Sequence, residues 1–198
     1  MSTGSIVTLA VIGVLIVYLI AIYNSLVAFR NKFKNGFANI DNQLQLRYDL
    51  IPNLIETAKA YMGHEKETLT RVIEARNKAS ASSKEAALHP EDAAAMKKLA
   101  AAETALSGSM LQFFALTESY PDIKANQTME KLMEELSTTE NKVAFSRQRY
   151  NDDVMQYNTY REQFPNFIIA NNGGFKEAAL FEIENEEYKK PVRVDFNK

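Results

Sequence analysis

The chain contains no cysteine and no tryptophan, and only two histidines, seven glycines and five prolines in 198 residues. Without cysteine there can be no disulfide, no thiolate nucleophile, no thiolate-ligated zinc and no iron–sulfur cluster. The two histidines do little to restore metal chemistry. Thr68 stands four residues after His64, where a H-E-x-x-H site needs its second ligand. Tyr61 and Ala86 stand three residues before His64 and His89, where a di-iron bundle needs glutamates. Gly173-Gly174 is followed by no Lys-Ser/Thr and preceded by no strand, so it reads as a helix C-cap and not as a phosphate loop. Ser5, Ser25, Ser107 and Ser109 have no neighbouring base to activate them. No cofactor, no metal and no catalytic residue is expected, and the chain is not read as an enzyme.

The net charge is −2 with both signs interspersed, which disfavours a nucleic-acid partner. The scarcity of glycine and proline, beside abundant Ala, Leu, Glu, Lys and Gln, favours an all-α architecture.

From Ile6 to Tyr23 the chain is apolar and uncharged, and no charge occurs before Arg30. A helix of this length, at about 1.5 Å per residue, spans a hydrocarbon core of about 30 Å. A retained anchor is favoured over a cleaved signal peptide, because Met1 to Ser5 carry no Lys or Arg and no small-x-small site follows Ile22. Arg30, Lys32 and Lys34 follow the run directly, which by the positive-inside rule places the body in the cytoplasm. The same three cations would attract anionic lipid at about 1 kcal/mol each, but they are fewer than a dedicated lipid-binding cluster and are read as topology determinants. The expected organisation is an external N-terminus at 1–5, a transmembrane helix at 6–28, a cytoplasmic helical bundle at 29–165, and a short helix with a tail packing on the bundle at 166–198. In that compartment the sequon Asn126-Gln127-Thr128 has no chemical meaning.

Beyond the anchor, Phe29, Phe33, Phe37, Ile40, Leu44, Tyr48 and Ile51 recur at helical spacing. The stripe resumes after Pro52 with Ile55, Ala58, Met62, Leu69, Val72 and Ile73, so one long helix kinked at the proline is expected, a break into two helices being the alternative. Pro52 lacks a donor and should leave the Tyr48 carbonyl without its usual partner. The Ser-rich segment from Ala79 to Pro90 loses the stripe and reads as a connection. A second helix follows, opened by Pro90, Glu91 and Asp92 and striped by Met96, Leu99, Leu106, Met110, Phe113, Phe114 and Leu116, up to Tyr120-Pro121-Asp122. A third runs from near Thr128 to Phe164-Pro165, with Met129, Leu132, Leu136, Val143, Tyr150, Val154 and Tyr157 on one face. A short turn at Phe167 to Ala170 precedes a tail holding Phe175, Leu180, Phe181 and Pro191 to Phe196. An elongated up-and-down bundle of three long helices and a short one results.

The densest polar cluster is Arg47-Tyr48-Asp49-Leu50-Ile51-Pro52-Asn53-Leu54. Arg47, Tyr48, Asp49 and Asn53 are candidates for binding a partner at the kink, with Asn53 placed to satisfy the freed backbone; the alternative is that they stabilise the kink within the bundle.

With this cluster, the segments Tyr23-Asn24-Ser25-Leu26-Val27, Asn35-Gly36-Phe37-Ala38-Asn39-Ile40-Asp41, His64-Glu65, Glu74-Ala75-Arg76, Tyr157-Asn158, Phe164-Pro165, Ile169-Ala170, Gly174-Phe175, Phe181-Glu182 and Val192 to Phe196 give the chain a resemblance to the LemA family over nearly its whole length. Gly36 departs from the usual alanine and slightly weakens the helix there. The resemblance implies a bacterial protein anchored in the inner membrane, with a short external N-terminus and a cytoplasmic helical bundle, and no established catalytic activity. Some members are linked to magnetosome membranes or to genes for membrane metalloproteases and TPM-domain proteins.

The leading expectation is a non-catalytic, self-associating scaffold that contacts membrane lipid and organises the membrane or its complexes. The alternative is an adaptor for a membrane protease or envelope quality-control partner, docking at Arg47 to Asn53.

Overall fold

The uncharged run and the first apolar stripe lie on one helix. In the computed structural model, which describes residues 3–183, α1 (Thr3–Lys59) continues for 57 residues, a length of about 85 Å at 1.5 Å per residue. It is followed by α2 (Lys66–Leu88), α3 (Ala93–Thr117), α4 (Pro121–Lys124), α5 (Gln127–Glu162) and α6 (Asn166–Asn172), with no strand among the described residues. One half of α1 is bare: the large apolar side chains from Ile6 to Ile20 are exposed, and this end is long and apolar enough to cross a membrane. In the other half Phe33, Phe37, Ile40, Leu44, Tyr48 and Ile51 are buried.

Helix α5 runs antiparallel along α1. Phe37 meets Tyr150 with ring centroids 5.7 Å apart, Phe33 meets Tyr157 at 5.0 Å and Phe29 meets Tyr160 at 5.0 Å, so one helix descends as the other ascends. The α2–α3 hairpin packs beside α5 on α1, from Glu91 opposite Lys34, past Ser83 at Asp41, to Arg76 and Glu103 at Tyr48. The expected all-α bundle is therefore present, but with four long helices and two short ones among the described residues.

The difference has two sources. The first run breaks into two helices, the alternative to one long helix, but not at Pro52: α1 passes through Pro52 and ends at Lys59. The chain turns at Tyr61 to Glu65, with Met62 buried inside the turn, and α2 starts at Lys66. The stripe hid this break because Met62 and Leu69 are core on both sides of it. Secondly, the segment from Ala79 is not a connection but the closing turns of α2, which end at Leu88. Its buried face is written in Ala79, Ser80, Ser83 and Ala86, small side chains that allow close approach and leave no apolar period. Ser83 satisfies its hydroxyl by donating to Asp41 Oδ1 of α1 at 2.7 Å.

The true connection is short. Pro90 precedes the helix instead of opening it, and Asp92 caps α3 by accepting from the Ala94 N–H at 2.9 Å. Asn126 caps α5 in the same way through the N–H groups of Thr128 and Met129. Gly174, with φ of +71°, closes α6 as expected of a left-handed cap, and Phe175 N–H reaches the Ala170 carbonyl at 2.9 Å. The end of the tail, Pro191 to Phe196, expected to pack on the bundle, lies outside the described residues.

Gly36 sits where α1 crosses α5. A Cβ there would stand 3.4 Å from Asp153 Oδ2 and 3.5 Å from Tyr150 Cα, which is ordinary contact. Alanine thus fits the space and is the better helix former. Gly36→Ala should raise stability by about 0.5–1 kcal/mol, seen as a higher thermal midpoint of the detergent-solubilised protein by circular dichroism.

Candidate functional site

The polar cluster around Pro52 divides by helical phase. Arg47 and Tyr48 face the bundle interior and are buried, whereas Asp49 and Asn53 face solvent. Both inward groups converge on Glu103 of α3, which is 1% exposed. Arg47 Nη2 pairs with Glu103 Oε2, and the Tyr48 hydroxyl donates to Glu103 Oε1. Glu103 was not legible as a site residue, although a signal existed: it occupies the stripe position between Leu99 and Leu106, where a lone carboxylate interrupts an apolar face. Burial, and then the Glu103 charge, push the Tyr48 hydroxyl far above its ordinary value of 10, so it remains a hydrogen-bond donor at neutral pH.

The carbonyl freed by Pro52 finds its partner on α2. Arg76 Nε donates to the Tyr48 carbonyl at 2.8 Å, and its Nη2 lies 3.5 Å from Asp49 Oδ1. Asn53 does not serve the freed carbonyl; its own carbonyl accepts from the Thr57 hydroxyl at 2.8 Å. The guanidinium carbons of Arg47 and Arg76 lie 5.9 and 6.0 Å from the centroid of the Tyr48 ring. Three helices are thereby joined through one tyrosine.

At the bare end of the bundle the three cations are also engaged. Lys32 pairs with the buried Asp153 at 2.9 Å and donates to Gln156 Oε1 at 2.8 Å, Lys34 pairs with Glu91 at 3.2 Å, and Arg30 lies over the Phe175 ring at 4.9 Å.

A second constellation, not legible in the sequence, holds the segment after α6 in extended form on α5. Asn158 brackets Ala178, donating to its carbonyl at 2.9 Å and accepting from its N–H at 3.0 Å. Two helical turns earlier Asn151 does the same to Phe181 at 3.2 and 2.8 Å. The hydroxyls of Tyr157 and Tyr150 donate to the Lys176 and Ala179 carbonyls, each at 2.8 Å, and Arg161 Nε reaches the Phe175 carbonyl at 3.0 Å. All five side chains read main chain, so no pattern in the tail announces them.

Neither constellation pairs an accessible nucleophile with a base, and among the described residues no group of His, Asp or Glu is placed to hold a metal ion. The arrangement is that of an all-α bundle erected on a long apolar helix, with its polar groups spent on holding elements together. The chain belongs to the LemA family, whose model matches residues 36–196. No curated protein matches it.

Two predictions follow from the buried groups. Glu103→Ala strands the Arg47 charge and should cost about 3–5 kcal/mol, whereas Arg47→Met combined with Glu103→Leu should recover most of that loss; denaturant unfolding of the detergent-solubilised protein measures both. Alkali should act through Tyr48 and Tyr150, whose hydroxyls are raised by burial first and then by Glu103 and Glu91 respectively. Above about pH 10 the unfolded chain releases these protons while the folded one keeps them, so stability that is complete below that pH falls as pH rises. Tyr48→Phe and Tyr150→Phe should each flatten the fall in unfolding free energy measured between neutral and alkaline buffers.

Proposed function

We propose that the protein is a non-catalytic, membrane-anchored scaffold that associates with itself and organises the bacterial inner membrane or complexes within it. The observation that carries this reading is the continuity of α1: one helix serves as both span and first bundle strut, so the orientation of the body is coupled to the orientation of the span. Copies brought side by side in a bilayer would hold their bodies in register. The buried stripes of α1, α3 and α5 are consumed within the bundle, which leaves the span and scattered apolar side chains such as Leu111 and Phe145 as contact surface between copies. The flanking cations favour a cytoplasmic body with the N-terminus outside. Mixed surface charge speaks against nucleic acid as a partner.

The reading is tested by the mass of the complex extracted with its native lipid, together with the identity of each co-purifying chain. An assembly of several copies of this chain is the expected result; a monomer without partners would overturn it.

The adaptor reading keeps one specific support, the solvent-facing Asp49 and Asn53 beside the buried Arg47, Tyr48 and Glu103. A stoichiometric second protein, lost on Asp49→Lys or Asn53→Lys without loss of helicity, would favour it over self-association.

A further inference from the structure

The exposed apolar side chains of the bundle are not evenly spread. Phe164 is 80% exposed, and Phe167 and Ile168 are about half exposed, with the two phenylalanine rings 6.3 Å apart. They belong to a segment in which no charged residue occurs between Glu162 and Lys176, within a chain that is 24% charged. This segment contains the whole of α6.

Its level along α1 follows from the antiparallel register. Tyr150, Tyr157 and Tyr160 meet Phe37, Phe33 and Phe29 in turn, so the chain beyond Tyr160 advances towards the uncharged end of α1. Phe175, just after α6, lies edge-on to Tyr23 at 5.4 Å, and α6 packs on α1. Ile22 and Leu26 are buried at this level even though they belong to the uncharged run. A hydrocarbon core of about 30 Å takes roughly 20 helical residues. If it begins near Ile6, it ends at the turn of α1 against which α6 is packed.

We propose that Phe164, Phe167 and Ile168 form a foot that enters the interfacial layer of the same membrane that α1 crosses, giving each copy a second lipid contact beside its span. The inference rests on the reading of α1 as a membrane anchor. Lipid is the occupant because the foot continues the bare surface of α1 at the same end of the molecule, so acyl chains that cover Ile16 to Ile20 reach its side chains as well. Aromatic and branched apolar groups flanked by asparagines suit the boundary between headgroups and acyl chains. An isolated seven-residue helix would bind such a boundary poorly. Here the bundle holds it in place, so its orientation is set before it meets lipid.

The absence of native tryptophan makes a direct test available. Full-length protein carrying a single Phe167→Trp is reconstituted in phosphatidylcholine vesicles whose acyl chains bear bromine either near the headgroup or near the bilayer centre. Leu15→Trp reports the span, and Leu111→Trp reports an exposed site on α3 toward the far end of the bundle. The foot predicts that Phe167→Trp loses most of its emission to shallow bromine and much less to deep bromine, while Leu15→Trp is quenched best by deep bromine and Leu111→Trp by neither. An unquenched Phe167→Trp beside a quenched Leu15→Trp overturns the foot and leaves the anchor standing. If Leu15→Trp is unquenched too, both readings fall. Phe164→Trp repeats the measurement at a position that is 80% exposed, where little packing is lost.

Discussion

Everything in this structure is arranged around a helix that changes from uniformly apolar to amphipathic partway along its length. Up to Ala21 α1 is apolar on all sides and leaves its side chains bare, whereas beyond Arg30 it is apolar on one face only. A face of that kind cannot stand alone in water, because an amphipathic helix takes its stability from burying its stripe. Helix α5 covers it from Phe29 to the far end of α1, where Asn126 donates to the Tyr61 hydroxyl, and the α2–α3 hairpin lies beside α5 from Lys34 outward, so the body of the protein amounts to a sheath around the continuation of the apolar helix. The turn at Met62 marks where α1 ends and the chain starts back to complete that sheath.

Apolar stripes are tolerant partners, and two of them can slide by a turn at modest cost. The buried polar groups remove that freedom. Glu103 must sit opposite Arg47 and Tyr48, because a displaced carboxylate would be left unpaired in the core. Arg76 must sit opposite Tyr48, because only there does a proline leave a carbonyl of α1 unclaimed. Pro52, which on sequence grounds looked like a weak point, thus becomes the position that tells α2 where to dock. The same logic operates on α5, where Asn151 and Asn158, spaced by two turns, meet Phe181 and Ala178 and fix the register of the extended segment.

This division between stripe and register explains what the sequence disclosed. Long runs with large apolar residues were readable: the stripes of α1 and α5, the start of α3 near Asp92, the glycine cap after α6 and the need of the Tyr48 carbonyl for a partner all follow from periodicity or from local backbone chemistry. The closing turns of α2 were not readable, because close packing against α1 selects serine and alanine, which also compose loops. Nor was the end of α1, since the spacing from Ala58 through Met62 to Leu69 remains helical in phase while the chain turns. The cluster at Arg47 was visible as a cluster, but which of its members face inward depends on Glu103, a residue 56 positions away. Long-range pairing of one charge with another leaves no local trace.

The charges near the span complete the account. Lys32 and Lys34 are matched by Asp153 and Glu91, and Arg30 lies on the Phe175 ring, so the cations that follow the apolar run are largely answered by the protein itself. Their contribution to attracting anionic lipid is reduced accordingly, since a paired charge presents a weaker field to a surface than a free one. They act instead to pin α5, the α2–α3 connection and the segment after α6 to the base of α1. In the proposed arrangement a body fixed in this way would meet the bilayer through the apolar side chains of α6, and such a contact, governed by buried area, would respond little to salt or to headgroup charge.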